Sequence, residues 1–103
     1  MYMKQLTPNE LKKWAASGRD YLLVDIREKW ERDAFHIGGV HIPMGELMGR
    51  LAEIPKDKDT VIYCEKGVRS VIAVQRLEAS GFENLHNLSG GVKAWQDAQW
   101  SPS

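Results

Sequence analysis

Short apolar runs alternate with amphipathic segments along this chain, and the alternation predicts strands that alternate with helices. Continuous apolar runs at residues 21–27 and 60–64 predict buried strands, because a strand covered on both faces of a parallel sheet lacks polar alternation. A short extended piece is expected at 40–43 and a further strand at 84–88. Helices between the strands imply parallel pairing through right-handed crossovers, so the pattern predicts an α/β fold.

Helices are predicted where apolar residues recur every three or four positions and where capping residues mark the ends. The first begins at Thr7 and Pro8, has Glu10 in a capping box and ends at Gly18. Later helices are expected at residues 28–35, 45–53 and 69–80, and after the turn at 89–91. The helix at 45–53 is expected to turn Leu47, Met48 and Leu51 inward. The helix at 69–80 is expected to have Ile72, Ala73, Arg76 and Leu77 on its inner face, and the last helix is expected to have Val92, Trp95 and Ala98 there.

Length and charge narrow the range of functions. The chain has 103 residues, which predicts a single domain over residues 1–103 that ends in a loose tail at 100–103. Lysine and arginine number 14, as do aspartate and glutamate, so neither nucleic acid nor an anionic membrane is expected as the main partner. No apolar run approaches the ~20 residues that cross a bilayer, and the N-terminal residues lack the apolar stretch of a signal peptide. A cytoplasmic protein is therefore expected, and an exported mature form whose leader has been removed is the alternative that this pattern leaves open.

Cys64 is the only cysteine, which excludes an internal disulfide and a multi-thiolate metal site. His36, His41 and His86 have no cysteine or carboxylate at ligand spacing, so no metal site is predicted. His36 and His41 are candidate general bases, although a histidine in a turn more often makes a structural hydrogen bond.

The segment after the predicted strand 60–64 has the features of an anion-binding loop. Cys64 ends the strand, Gly67 permits a tight reversal, and the helix that begins at Arg69 presents its positive N-terminal end. Successive backbone N–H groups in such a turn can converge on an anion, and Lys66 and Arg69 add two full positive charges. The alternative is a buried cysteine that acts as a small apolar residue. The combination of features favours a reactive thiolate, and it would stabilise a persulfide, Cys–S–S⁻, in the same way.

Two polar residues, Asp25 and Arg27, stand at the carboxyl end of the other buried strand. Ligand sites of open α/β sheets lie at that edge. The pair is expected either to contact substrate or to lock the fold by hydrogen bonds, and the sequence leaves both interpretations open.

Four ordered motifs resemble those of the rhodanese-type sulfurtransferases. Residues 64–70, Cys-Glu-Lys-Gly-Val-Arg-Ser, are similar to the active-site loop of that family, and residues 24–27 resemble its Asp-x-Arg segment. Residues 36–43 and 88–95 resemble its His-Ile-x-Gly stretch before Ile-Pro and its Leu-x-Gly-Gly-x-x-x-Trp close. The resemblance implies a single-domain member with a central parallel sheet of about five strands and helices on both faces.

The resemblance also implies a two-step reaction without a cofactor. The Cys64 thiolate takes the outer sulfur of thiosulfate or a similar donor as a persulfide, and cyanide or a thiol acceptor (glutathione, dihydrolipoate or reduced thioredoxin) then removes it. Asp25 and Arg27 would orient the loop from the neighbouring strand, and Lys66 and Arg69 would hold the sulfonate of thiosulfate. The substrate-binding residues that the resemblance implies are those of the loop, Glu65, Lys66, Gly67, Val68, Arg69 and Ser70.

Glu65 departs from those relatives that have a cation after the cysteine. A carboxylate that points inward is expected to weaken the binding of a dianionic donor. One that faces solvent is expected to select a protein acceptor instead.

Three other functions are compatible with a reactive cysteine. Phosphatases and arsenate reductases of the same fold family have a longer loop between cysteine and arginine than the four residues 65–68, and the shorter loop suits one sulfur atom better than a tetrahedral oxyanion. A sulfur-relay module would pass sulfur to a specific protein, with thiosulfate activity only incidental. A redox sensor would need an outside thiol for its recovery, since the chain has no second cysteine.

Overall fold

A five-stranded parallel sheet lies between two layers of helices in the computed structural model, which describes residues 3–98. The strands are β1 Lys4–Leu6, β2 Tyr21–Asp25, β3 Val40–His41, β4 Asp59–Tyr63 and β5 Leu85–Leu88, in the spatial order β1-β5-β4-β2-β3. The helices are α1 Pro8–Ser17, α2 Lys29–Ala34, α3 Arg69–Ala79 and α4 Gly91–Asp97, and two 3-10 helices span Met44–Gly49 and Leu51–Glu53. The predicted α/β fold with a central parallel sheet is confirmed.

The central strand β4 brings the carboxyl ends of three strands together. It pairs with β2, where Tyr63 lies opposite Asp25, and with β5, where Ile62 lies opposite Asn87. Because all neighbouring strands run parallel, β2, β4 and β5 end at the same edge of the sheet. Cys64 follows β4 directly, so the thiol is delivered to the edge where α/β sheets bind ligands.

Apolar side chains cover both faces of the sheet. One cluster joins the sheet to α3 and contains, among others, Val24, Ile62, Ala73, Val74 and Leu77. The other joins it to α1 and α4 and contains, among others, Leu11, Val61, Tyr63 and Val92. Consecutive residues of β4 therefore enter opposite clusters, which explains why the strand is apolar throughout.

The first helix begins and ends as predicted. The Thr7 hydroxyl accepts a hydrogen bond from the Glu10 N–H at 3.1 Å, and the Glu10 carboxylate accepts one from the Thr7 N–H at 2.9 Å. Gly18 ends the helix in the left-handed conformation at φ 72°.

Several local predictions are wrong. Residues 45–53 form two 3-10 helices instead of one α-helix, and the tighter turn leaves Met48 46 % exposed where a core position is predicted. Ile72 and Arg76 are also exposed, because the face of α3 toward the sheet is a neighbouring stripe formed by Ser70, Ala73, Val74 and Leu77. The sequence pattern does not predict β1, since a three-residue edge strand shows no periodicity. The predicted tail at 100–103 lies outside the described residues.

Candidate active site

Cys64 lies in a tight loop and is 1 % exposed as a residue. Its Sγ accepts hydrogen bonds from the backbone N–H groups of Gly67 at 3.1 Å and Ser70 at 3.3 Å. Gly67 has a φ of 84°, the left-handed conformation that reverses the chain here and that L side chains resist. Two amide dipoles directed at one sulfur stabilise negative charge on it.

The start of α4 holds the outer side of this loop. The Val92 N–H donates to the Cys64 carbonyl at 2.9 Å, and the Lys93 N–H donates to the Glu65 carbonyl at 2.8 Å. Gly91 precedes them at φ 62°, and a Cβ at this position would clash with both carbonyl oxygens. The glycine therefore allows α4 to lie directly against the loop, with the loop carbonyls turned toward α4.

A series of hydrogen-bonded polar side chains extends from the sulfur through the buried Ser70 and Asn87 to the edge of the sheet. The Ser70 hydroxyl lies 3.3 Å from Cys64 Sγ and makes a short hydrogen bond to Asn87 Oδ1. Asn87 Nδ2 donates to Gln5 Oε1 at 2.9 Å, which joins β5 to β1. Asn87 and Gln5 are missed by sequence reasoning, although an asparagine between apolar positions of a predicted strand is a signal that could have found the first of them.

Asp25 and Arg27 form a buried pair behind the loop. The Arg27 guanidinium, 1 % exposed as a residue, donates to Asp25 from Nε at 3.0 Å and from Nη2 at 3.1 Å. Nη2 also donates to the Phe35 carbonyl at the end of α2, and Nη1 donates to Glu65 Oε1 at 3.1 Å. Burial opposes ionisation of Asp25, but the hydrogen bonds from Arg27 outweigh it and hold the pKa of that carboxyl below its usual value. The pair thus connects β2, α2 and the loop.

Glu31 is a site residue that the sequence did not indicate. Both of its carboxylate oxygens accept from Arg69, at 2.8 Å from Nη1 and 2.7 Å from Nη2. These hydrogen bonds lower the pKa of Glu31, and they raise the pKa of Arg69. The only sequence signal is an acidic residue in the first turn of α2, where it also accepts from the Glu28 N–H. A partner 38 positions away along the chain cannot be inferred from such a local pattern.

The loop opens on a pocket of about 260 Å³, which we call the Cys64 pocket. Its walls are formed by Glu31, Cys64, Glu65, Lys66, Val68 and Arg69. Lys66 and Val68 are exposed, and within residues 3–98 the Lys66 ammonium makes no hydrogen bond or ion pair. Gly67 and Ser70 lie behind the sulfur instead of in the pocket walls, and Arg27 lines an adjoining cavity of about 310 Å³ together with Trp30 and Phe35.

The candidate histidines have structural hydrogen bonds. His36 Nδ1 accepts from the Gly38 N–H at 2.9 Å, and His41 Nε2 donates to the Arg27 carbonyl at 2.7 Å. Neither lines the Cys64 pocket. Within residues 3–98 no group of three or more histidine, cysteine or acidic side chains is placed to hold a metal ion. No helix in the same range is long and apolar enough to cross a membrane.

The sequence matches the model of the Rhodanese-like domain over residues 7–98. The chain belongs to this family. Among solved structures, a rhodanese-like domain protein from Staphylococcus aureus is 33 % identical, with a TM-score of 0.84 over 90 % of this chain and 91 % of that one. The resemblance that the four motifs indicated is therefore confirmed.

Curated relatives of this rhodanese-like domain include sulfurtransferases. A sulfurtransferase from Allochromatium vinosum is 38 % identical over 90 % of this chain and 88 % of its own length. The probable adenylyltransferase/sulfurtransferase MoeZ of Mycobacterium tuberculosis is 39 % identical over 93 residues, which are 87 % of this chain but 24 % of MoeZ. The chain thus spans about a quarter of the MoeZ proteins. Family and relatives together support sulfur transfer in general.

Proposed function

We propose that this rhodanese-like domain carries sulfane sulfur on Cys64 as a persulfide. The supporting observation is the position of Sγ, which accepts the Gly67 and Ser70 N–H groups while Cys64 lines an open pocket. N–H groups that stabilise a thiolate at Sγ favour both the nucleophile that attacks the donor and the thiolate that is restored when the acceptor takes the sulfur. The covalent intermediate makes any other cofactor unnecessary.

The first half-reaction takes sulfur from thiosulfate or a similar donor. The Cys64 thiolate attacks the outer sulfur, a Cys–S–S bond forms, and the donor's S–S bond breaks. Sulfite leaves with the electron pair of that bond, so the thiolate and thiosulfate dianion become a persulfide anion and sulfite dianion. No proton or external electron is needed.

The second half-reaction returns the thiolate. Cyanide, glutathione, dihydrolipoate or a thiol protein such as thioredoxin attacks the terminal sulfur, and the bond to Cys64 Sγ breaks with its electrons left on Cys64. An acceptor must come from outside, because the chain has a single cysteine. We further propose a cytoplasmic protein whose partners are small-molecule donors and thiol acceptors, with neither nucleic acid nor membrane among them.

Intact-mass measurement after incubation with thiosulfate tests this function. We expect the wild type to gain one sulfur atom, cyanide to remove it with formation of thiocyanate, and Cys64→Ser to show neither event. If the wild type gained no sulfur from thiosulfate, polysulfide or a thiol persulfide, the proposal would be wrong. Hydrolysis of phosphate esters abolished by Cys64→Ser would instead establish the phosphatase alternative.

A further inference from the structure

Two of the side chains that line the Cys64 pocket are acidic. Glu31 and Glu65 line it together with the cations Lys66 and Arg69. Cys64 is buried and borders this space, so the leaving group of any donor must lie in it while the sulfur is attacked. The charges of these four side chains therefore act on the leaving group.

Most of the positive charge here is already matched by a carboxylate. Each terminal nitrogen of Arg69 donates one hydrogen to Glu31, at 2.8 and 2.7 Å. Arg27 faces Glu65 at 3.1 Å, but its charge is shared with the fully buried Asp25. Among the described residues that line the pocket, Lys66 is the cation without a carboxylate partner, and it is exposed to the screening of solvent.

The leaving groups of the two common kinds of sulfane donor differ in charge. Thiosulfate releases sulfite, a dianion whose charge lies on oxygens two bonds from the sulfur attacked. A thiol persulfide, R–S–SH, releases a thiolate, R–S⁻. The Cys64 thiolate attacks the outer sulfur and forms Cys64–S–SH, while the S–S bond of the donor breaks and RS⁻ leaves with its electron pair. This leaving group has one charge and an uncharged carbon next to it.

We propose that Glu31 and Glu65 determine the donor specificity of this site and favour thiol persulfides over thiosulfate. The inference rests on the proposed sulfur transfer and specifies its donor. Glu31 acts through Arg69, since its charge offsets that of the guanidinium and its carboxylate accepts a hydrogen bond from each terminal nitrogen. Glu65 stands next to the nucleophile in the chain and is held at the pocket wall by Arg27.

Single-turnover loading followed by intact mass measures the specificity directly. The rate constant of persulfide formation on Cys64 is measured with thiosulfate and with glutathione persulfide, whose carboxylates are several bonds from the sulfane sulfur. We expect Glu31→Gln and Glu65→Gln each to raise the ratio of the thiosulfate rate to the persulfide rate about tenfold. Glutamine keeps the shape, and at position 31 it also keeps a capping-box acceptor.

Glu83→Gln is the matched control, because it removes the same charge at an exposed position after α3, away from the pocket. It should leave both rates unchanged.

Unchanged ratios in Glu31→Gln and Glu65→Gln would overturn the inference while sulfur transfer itself stands. A wild type that no donor loads would instead refute the proposed function. Melting temperatures of all variants show whether folding is retained, and the two positions serve as independent tests.

Discussion

At the scale of single residues, the cations near the thiol differ in how much charge they offer a donor. Arg69 is joined to Glu31 by two hydrogen bonds, whereas Lys66 is exposed and unpaired within residues 3–98. A paired guanidinium keeps N–H groups that can contact an oxyanion, but the carboxylate beside it cancels most of its field. Lys66 is therefore the residue expected to attract a sulfonate.

Lys66→Ala tests this difference. We expect loading by thiosulfate to slow about threefold, a modest effect because an exposed charge acts through a high dielectric. Loading rates at low and moderate ionic strength provide the measurement, and salt should reduce the difference from wild type. Lys13→Ala, an exposed lysine on α1, is the control for net charge. Equal rates in Lys66→Ala and Lys13→Ala would exclude Lys66 from donor attraction.

The residue scale also shows where local sequence stops being informative. Cys64, Gly67 and Ser70 could be placed around one sulfur because they are close in the chain and a strand end fixes their direction. Glu31 lies 38 positions from its partner Arg69 in the sequence, and Asn87 lies 17 positions from its partner Ser70. Only the fold of the chain brings these residues to the site. The predicted roles of the loop residues in substrate binding stay predictions.

At the scale of secondary-structure elements, α4 lies directly against the active loop. Gly91 has no side chain between the helix and the loop carbonyls, and the Val92 and Lys93 N–H groups donate to those carbonyls. This arrangement fixes which way the peptide units of the loop point. It follows that the loop amides remain directed at Sγ only while α4 keeps its position.

Gly91→Ala should disturb this contact. The added methyl group meets two carbonyl oxygens at a positive φ, so we expect a loss of about 2–4 kcal/mol in the free energy of unfolding and a slower persulfide formation. Gly18→Ala is a matched control at the end of α1, because Gly18 also has a positive φ but a methyl group added there would have no heavy atom within 4 Å. Urea unfolding and donor loading measure the two effects. Loading that slows equally in both variants would contradict the role given to α4.

Elements with a strong hydrophobic pattern could be predicted from the sequence, whereas elements with a weak pattern could not. The buried strands and α1 follow from continuous apolar runs and from a capping box with its terminal glycine. Residues 45–53 have helical spacing but adopt two 3-10 helices, in which Leu47 is buried and Leu51 packs against the core. The edge strand β1 owes its conformation to pairing with β5, which no local pattern encodes.

At the scale of the whole molecule, the pair Asp25 and Arg27 connects the sheet to the helical layer and to the loop. Both residues are buried, and their hydrogen bonds extend to Phe35 and Glu65. Removal of the Asp25 charge leaves the buried Arg27 with the partly exposed Glu65 as its carboxylate partner, which compensates the buried cation less well. The sequence predicted this pair at the carboxyl edge of the sheet, and the structure adds its burial and its hydrogen bonds to α2 and the loop. Its role as a support for the loop stays a prediction.

Asp25→Asn should lower the free energy of unfolding at pH 7 by about 3–5 kcal/mol. The pKa of Asp25 is below its ordinary value of 3.8 in the folded chain, so the contribution of the pair is complete above that value. As the pH falls further, the unfolded chain binds the proton first, and stability declines until the folded carboxyl is protonated as well. Urea unfolding from pH 7 to pH 3 should thus show a smaller acid-induced loss in Asp25→Asn than in wild type. Asp57→Asn, at an exposed turn, should keep the wild-type loss, and identical pH dependence in all three proteins would contradict this role.

The depth of Cys64 has a consequence for which form of the protein other molecules can reach. Cys64 is 1 % exposed, so other molecules reach the unloaded sulfur only from the Cys64 pocket. In the proposed reaction the added sulfur projects one S–S bond, about 2 Å, further into the pocket. The terminal sulfur is then more accessible from the pocket than Cys64 Sγ, which stays buried. An acceptor therefore distinguishes the persulfide form from the unloaded form by how far into the pocket it must extend to contact a sulfur atom.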